Sequence, residues 1–297
     1  MIVVCTNIKG EKFMNKIKII TDSSSDLSPE QIKDNDIDID PLCIIMDDKT
    51  YLDGIDTNST EIFKWADDNK TTPKTAAITY DKTKDLMEKY KNEATDILFF
   101  CISEDMSTCA NVARMVAEDL DYSDHVFVIN SMNLSTGIGL QILYAARLIK
   151  EGKSAGEIAK LVNERRNKVR ASFVVDTLTY LSRGGRCSSA TALLGNTLKL
   201  KPEIVVEDGK MHVAKKYRGS QDKVILKYVN DLKPLLENAD TSQVFITHSH
   251  ASEDVVEKVK QYLEELKIFE NITETKASGV ISSHCGPGTL GVLFYEK

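Results

Sequence analysis

The residues best equipped for chemistry lie near the C-terminus, in Ser282-Ser283-His284-Cys285-Gly286-Pro287-Gly288. An imidazole beside a thiol and hydroxyls is raw material for nucleophilic acyl or phosphoryl transfer, and the same groups can donate hydrogen bonds to an anion. A hydrolase or phosphotransferase would use Ser107 or Cys285 with His284. The apolar run Gly279-Val280-Ile281 leads in and Val292-Leu293-Phe294-Tyr295 leads out, so the stretch reads as strand, tight loop, strand. Adjacent residues on a strand face opposite ways, so Cys285 reads as a small buried filler and not as a partner of His284. Gly286, Pro287 and Gly288 leave little side-chain bulk, which would let another group approach the backbone.

Other chemistry-bearing groups are scattered. His248-Ser249-His250 would put two imidazoles on one face of a strand, and with His284-Cys285 they suggest zinc; no carboxylate-rich motif or second cysteine pair supports it, and no metal is expected. Asp22 and Asp26 frame Asp22-Ser23-Ser24-Ser25-Asp26, either as metal or catalytic carboxylates or as caps of a loop and helix, the second being the expectation. Ser107 precedes a helix, as its N-cap or as part of an anion site. Arg183 and Arg186 flank Gly184-Gly185, where they form a solvated turn or grip an anion or a partner's acidic surface.

The elements that must position these groups alternate. Strands are expected at 17–21, 97–102 and 126–130, the last two as near-continuous apolar runs, with helices between them from Pro29, 60–69, 80–91, 109–120 and 140–150. Residues 71–79 read as a loop of small and hydroxyl residues. This is an α/β fold with a parallel sheet. The second half reads differently: a strand at 171–176, a basic flexible turn at 179–186, and a helix from Ser189 to about Leu198. A hairpin turns at Asp208-Gly209, and helices at 220–237 and 252–267 accompany strands near 243–247, 271–276 and 279–283. That pattern indicates an α+β domain on a mixed sheet. The expected division is residues 15–165 and 166–297, with 1–14 an extension ahead of the more convincing start at Met14.

Bulk properties exclude several classes. The 297 residues are 42% hydrophobic and 28% charged, with net charge −7. An acidic chain lacks the basic face that nucleic-acid binding needs. No apolar run approaches the length of a membrane helix, so integral membrane association is not expected and any membrane contact would be transient and at the surface. The six cysteines show no CxxC spacing, as reduced thiols of a cytoplasmic protein would.

Taken together, Ile20-Thr21-Asp22-Ser23, Pro73-Lys74-Thr75, Ile102-Ser103 with Ser107, Val174-Val175-Asp176-Thr177-Leu178, Arg183-Gly184-Gly185-Arg186, and His284 with Gly286-Pro287-Gly288 resemble the DegV family of bacterial fatty-acid-binding proteins over residues 15–296. The resemblance implies two domains with a long-chain fatty acid, palmitate- or oleate-like, between them and no other cofactor. It implies that Thr75, Ser107 and His284 hold the carboxylate, with Asp22, Ser23, Gly286 and Gly288 in the supporting loops. Arg183 and Arg186 match arginines where a separate, dihydroxyacetone-kinase-like fatty acid kinase docks. That kinase would make the acyl phosphate for phospholipid synthesis, and the chain itself would be a carrier and not an enzyme. Phe99, Met115, Phe173 and Leu193 are candidates for lining the tail's tunnel, with ordinary core packing the expected role. Departures from the family pattern are Ala76-Ala77-Ile78-Thr79 in place of Ser-Gln-Pro-Ser, Thr108-Cys109-Ala110 in place of Gly-Thr-Tyr, and Asn130 in place of Asp. Both hydroxyl positions remain.

Overall fold

A computed structural model describes residues 16–193 and 200–297. Its first half begins with β1 (Ile17–Asp22), α1 (Pro29–Asp34), β2 (Ile37–Asp40), β3 (Cys43–Met46) and β4 (Lys49–Leu52). Then come α2 (Ser59–Asn69), β5 (Lys74–Ala76), α3 (Tyr80–Asn92), β6 (Asp96–Cys101), α4 (Cys109–Asp119), β7 (Val126–Asn130), α5 (Thr136–Lys150) and α6 (Ala155–Arg165). Four strands form a wholly parallel sheet in the order β2-β1-β6-β7. Phe99, Phe100 and Leu98 of β6 are fully buried, as a strand covered on both faces requires. A small antiparallel sheet, β4-β3-β5, lies beside it.

The second half contains β8 (Val169–Val174), α7 (Thr179–Gly184), α8 (Ser188–Thr191), β9 (Leu200–Glu207), β10 (Lys210–Arg218), α9 (Gln221–Asp231) and α10 (Lys233–Leu236). It ends with β11 (Ala239–Ser249), α11 (Glu253–Leu266), β12 (Ile272–Lys276), α12 (Gly279–Cys285) and β13 (Thr289–Glu296). Six strands pair in the order β10-β9-β8-β13-β11-β12, mixed because only β11 and β12 run parallel. The fold is thus α/β, with an N-terminal parallel sheet and a C-terminal mixed sheet.

Side chains of β13 alternate between two cores, as the pleat dictates. Leu293 joins a cluster that also holds Ile19, Phe99, Phe173 and Phe245, so one apolar core spans both sheets. Phe294 faces the other way, into a cluster with Tyr228, Val244 and Val259 beneath α9 and α11.

Several expectations are corrected. Residues 279–283 are helical, not a strand: Ser278 caps the start, its Oγ accepting the Ile281 N–H at 3.4 Å, and Gly286 at φ 78° ends it. A three-residue apolar run does not tell helix from strand, and the serine before it was the missed signal. Residues 179–184 are helix α7, closed by Gly185 at φ +69°, and not a flexible turn. Lys74–Ala76 pairs with β3 and is not a loop. Helix α5 starts at Thr136, four residues before the expected Leu140. The helix expected from Ser189 to Leu198 begins as α8, and its later part lies outside the described residues, as does the extension 1–14.

Candidate functional site

Helix α12 sits where the two halves meet, and its N-terminus is gripped by carboxylates of the first half. Asp26 accepts the Ser278 N–H at 2.8 Å, and Asp53 accepts those of Gly279 at 2.9 Å and Val280 at 3.3 Å. Negative groups at a helix N-terminus are favourable, and these N–H groups have no partner within the helix. Burial pushes Asp26 up to about 7 and Asp53 up to about 6. Ser23 Oγ donates to Asp53 at 2.8 Å, and Ser135 Oγ to Asp26 at 2.6 Å.

At the other end of α12, His284 Nε2 lies 2.8 Å from Thr75 Oγ1 on β5. Burial pushes the imidazole down to about 4, with the nearby charge of Arg186 adding to the effect, so the ring is neutral at pH 7. Nδ1 is buried without a hydrogen-bond partner, pressed against α7, where a Cβ on Gly184 would lie 2.1 Å from it. A buried acceptor left bare costs less than a buried N–H left bare. We therefore assign the proton to Nε2. It donates to Thr75 Oγ1, which leaves the threonine's own hydrogen free for another acceptor.

Thr75, Ser107 and His284 all line one cavity of about 470 Å³, a size typical of small-molecule sites. Thr108 and Arg186 complete its polar lining, Glu104 and Asp105 add two acids, and Leu42, Ile102, Met106, Leu134, Met211, Val280 and Ile281 supply apolar surface. Both halves of the chain contribute. The β9–β10 tip reaches across: Ser103 Oγ donates to the Gly209 carbonyl at 2.7 Å, and Lys210 lies 3.5 Å from Asp105.

The other expected groups fall elsewhere. Asp22 is fully buried below the site, accepting the N–H groups of Ser24 and Ile102, and Ser23 braces Asp53. What approaches Gly286 is the Tyr180 ring, 2.7 Å from where a Cβ would stand, while Gln221 donates to the Gly288 carbonyl at 2.7 Å. Arg183 is exposed on α7; Arg186 is on the cavity wall, bonded to the Gly184 carbonyl at 2.7 Å and that of Met106 at 3.4 Å. Phe99, Met115, Phe173 and Leu193 do not line this cavity: Phe99 and Phe173 are core residues, Met115 faces solvent at 47% exposure, and Leu193 packs at the core's edge. Sequence reasoning missed Met211, in a stretch read only as one arm of a hairpin, and Asp53, in a stretch given no role.

The geometry offers little to a nucleophile. Burial pushes the Cys285 thiol up to about 12, and Ser107 Oγ lies 3.1 Å from Cys109 Sγ; among the described residues neither is hydrogen-bonded to His284. Among the described residues the histidines are not gathered for a metal. His248 pairs with Glu274 at 3.2 Å, and His250 lies 3.1 Å from Ser59.

A parallel and a mixed sheet enclosing a cavity with a polar patch and apolar walls define an α/β protein with an internal amphipathic site. The chain belongs to the DegV family: the model of that family, described as an uncharacterised protein family, matches residues 16–297. It is 32% identical over 286 residues to a DegV domain-containing protein of Clostridium acetobutylicum, covering 96% of this chain and 100% of that one. Among solved structures it is similar to a DegV family protein from Thermus thermophilus, described for fatty acid binding, with TM-score 0.86, 27% identity, and coverage of 95% of this chain and 100% of that one. A hypothetical protein from Thermotoga maritima, described as revealing fatty acid binding function, matches with TM-score 0.79, 26% identity, and coverage of 96% and 100%.

Proposed function

We propose that this chain binds a long-chain fatty acid, palmitate- or oleate-like, with its carboxylate held by Thr75, Ser107 and His284. The observation that carries the reading is the Thr75–His284 pair, 2.8 Å apart, on the wall of an otherwise largely apolar cavity. A carboxylate taken out of water needs donors or it takes up a proton. Two hydroxyls meet that need, and the neutral imidazole directs the Thr75 hydrogen outward. The Arg186 guanidinium adds positive charge to the same wall. Each buried CH₂ contributes about 0.8 kcal/mol, so a 16-carbon tail gains on the order of 10 kcal/mol gross. The fatty acid binding described for the Thermus thermophilus and Thermotoga maritima proteins agrees with this.

In this reading the protein is a carrier formed of two lobes, 15–165 and 166–297, with the ligand between them. A separate kinase phosphorylates the carboxylate, docking near Arg183, which is exposed, and Arg186. The test is denaturation of the purified protein, solvent extraction and mass spectrometry. Near-stoichiometric fatty acid is expected, reduced in Thr75→Ala, Ser107→Ala and His284→Ala. An empty extract with no uptake of added palmitate or oleate would overturn the reading. For the docking role, Arg183→Ala, which leaves the cavity wall unchanged, should abolish kinase-dependent acyl phosphate formation while lipid stays bound.

A further inference from the structure

We propose that Asp22 and Cys109 are positioning residues that fix the separation and orientation of the two hydroxyls at the cavity, an inference that rests on the fatty-acid reading above. Cys109 opens α4 and is fully buried, as is Asp22 at the end of β1. Its sulfur meets three groups from three segments. Ser107 Oγ lies 3.1 Å away, and the Ile78 backbone N–H and the Asp22 carboxylate lie near enough to interact with the sulfur. Ile78 follows Thr75, Ala76 and Ala77, all on the cavity wall, and Asp22 also accepts the N–H of Ile102, another wall residue, at 2.7 Å. The thiol and carboxylate thus tie the segment carrying Thr75 to the segment carrying Ser107.

The thiol suits this role because sulfur is a weak acceptor. With the S–H directed at Asp22, the Ser107 hydroxyl rests against the sulfur and gives up little when a carboxylate arrives to take its hydrogen. Burial pushes the Cys109 thiol up to about 12, so it keeps its proton and remains a donor.

The experiment is a double-mutant cycle on palmitate affinity, using delipidated full-length protein whose fold is checked by thermal melting. Cys109→Val should weaken binding about tenfold, the scale of one hydrogen bond, and Cys109→Ser should keep it within about threefold. In a Ser107→Ala background, Cys109→Val should add almost nothing. Infrared spectroscopy supplies a readout that does not need lipid: the S–H stretch lost in Cys109→Ser should shift in Asp22→Asn. If Cys109→Val binds like the parent, or its effect adds in full to that of Ser107→Ala, the positioning role is wrong while the carrier reading stands. If the parent takes up no palmitate, both fall.

Discussion

At the scale of single residues, the site turns on one imidazole with no room to move. His284 has a threonine on one nitrogen and Gly184 against the other, so the glycine in Arg183-Gly184-Gly185-Arg186 serves close approach. Gly184→Ala should therefore push the ring off Thr75, costing about 1–3 kcal/mol through overpacking and lowering lipid recovery; melting and extraction read the two effects. The depressed pKa of His284 has a pH consequence of definite sign. Between about pH 6.5 and 4 the unfolded chain holds more protons on this residue than the folded one, so stability falls as pH falls through that window. His284→Gln removes that contribution, and its melting temperature should drop less over the same window than the parent's. The histidine was legible in the sequence as a reactive group. Its neutrality was not, because that comes from burial and from Arg186, which the sequence reading assigned to a partner surface.

At the scale of elements, α12 is the piece that brings the halves into register. Asp53→Ala would strand the N–H groups of Gly279 and Val280, at a cost of about 1–3 kcal/mol, and should loosen the ligand because His284 rides on the same helix. Asp53→Asn probes charge alone. The folded-state pKa of Asp53 is raised to about 6, so from about pH 6 to 4 the folded state binds the extra proton and the parent gains stability on acidification. The asparagine variant should lack that gain in a pH series of thermal melts. The β/α alternation of the first half was readable because buried parallel strands such as β6 are long apolar runs. Helix α12 was not, since its seven residues hold only a short apolar run and its best anchors are acids more than 200 positions away.

At the scale of the whole molecule, the fold class followed from local pattern, but the contact between the sheets leaves no local trace. Thr75 and His284 are 209 positions apart. The core holding Ile19, Phe99, Phe173, Phe245 and Leu293 crosses from one sheet to the other, so neither half can bury its apolar face alone. We expect one calorimetric transition, with van't Hoff and calorimetric enthalpies equal, and no cooperative melting of a 16–165 fragment; two resolved transitions would contradict this. The β9–β10 tip adds a kinetic dimension. With Gly209 bonded to Ser103, Lys210 beside Asp105 and Met211 on the cavity wall, a tail leaving past that rim in the proposed carrier would first have to part a hydrogen bond, an ion pair and a packed methionine. Residence time and affinity then become separate quantities: Lys210→Glu should shorten the first while leaving the head-group bonds behind the second intact.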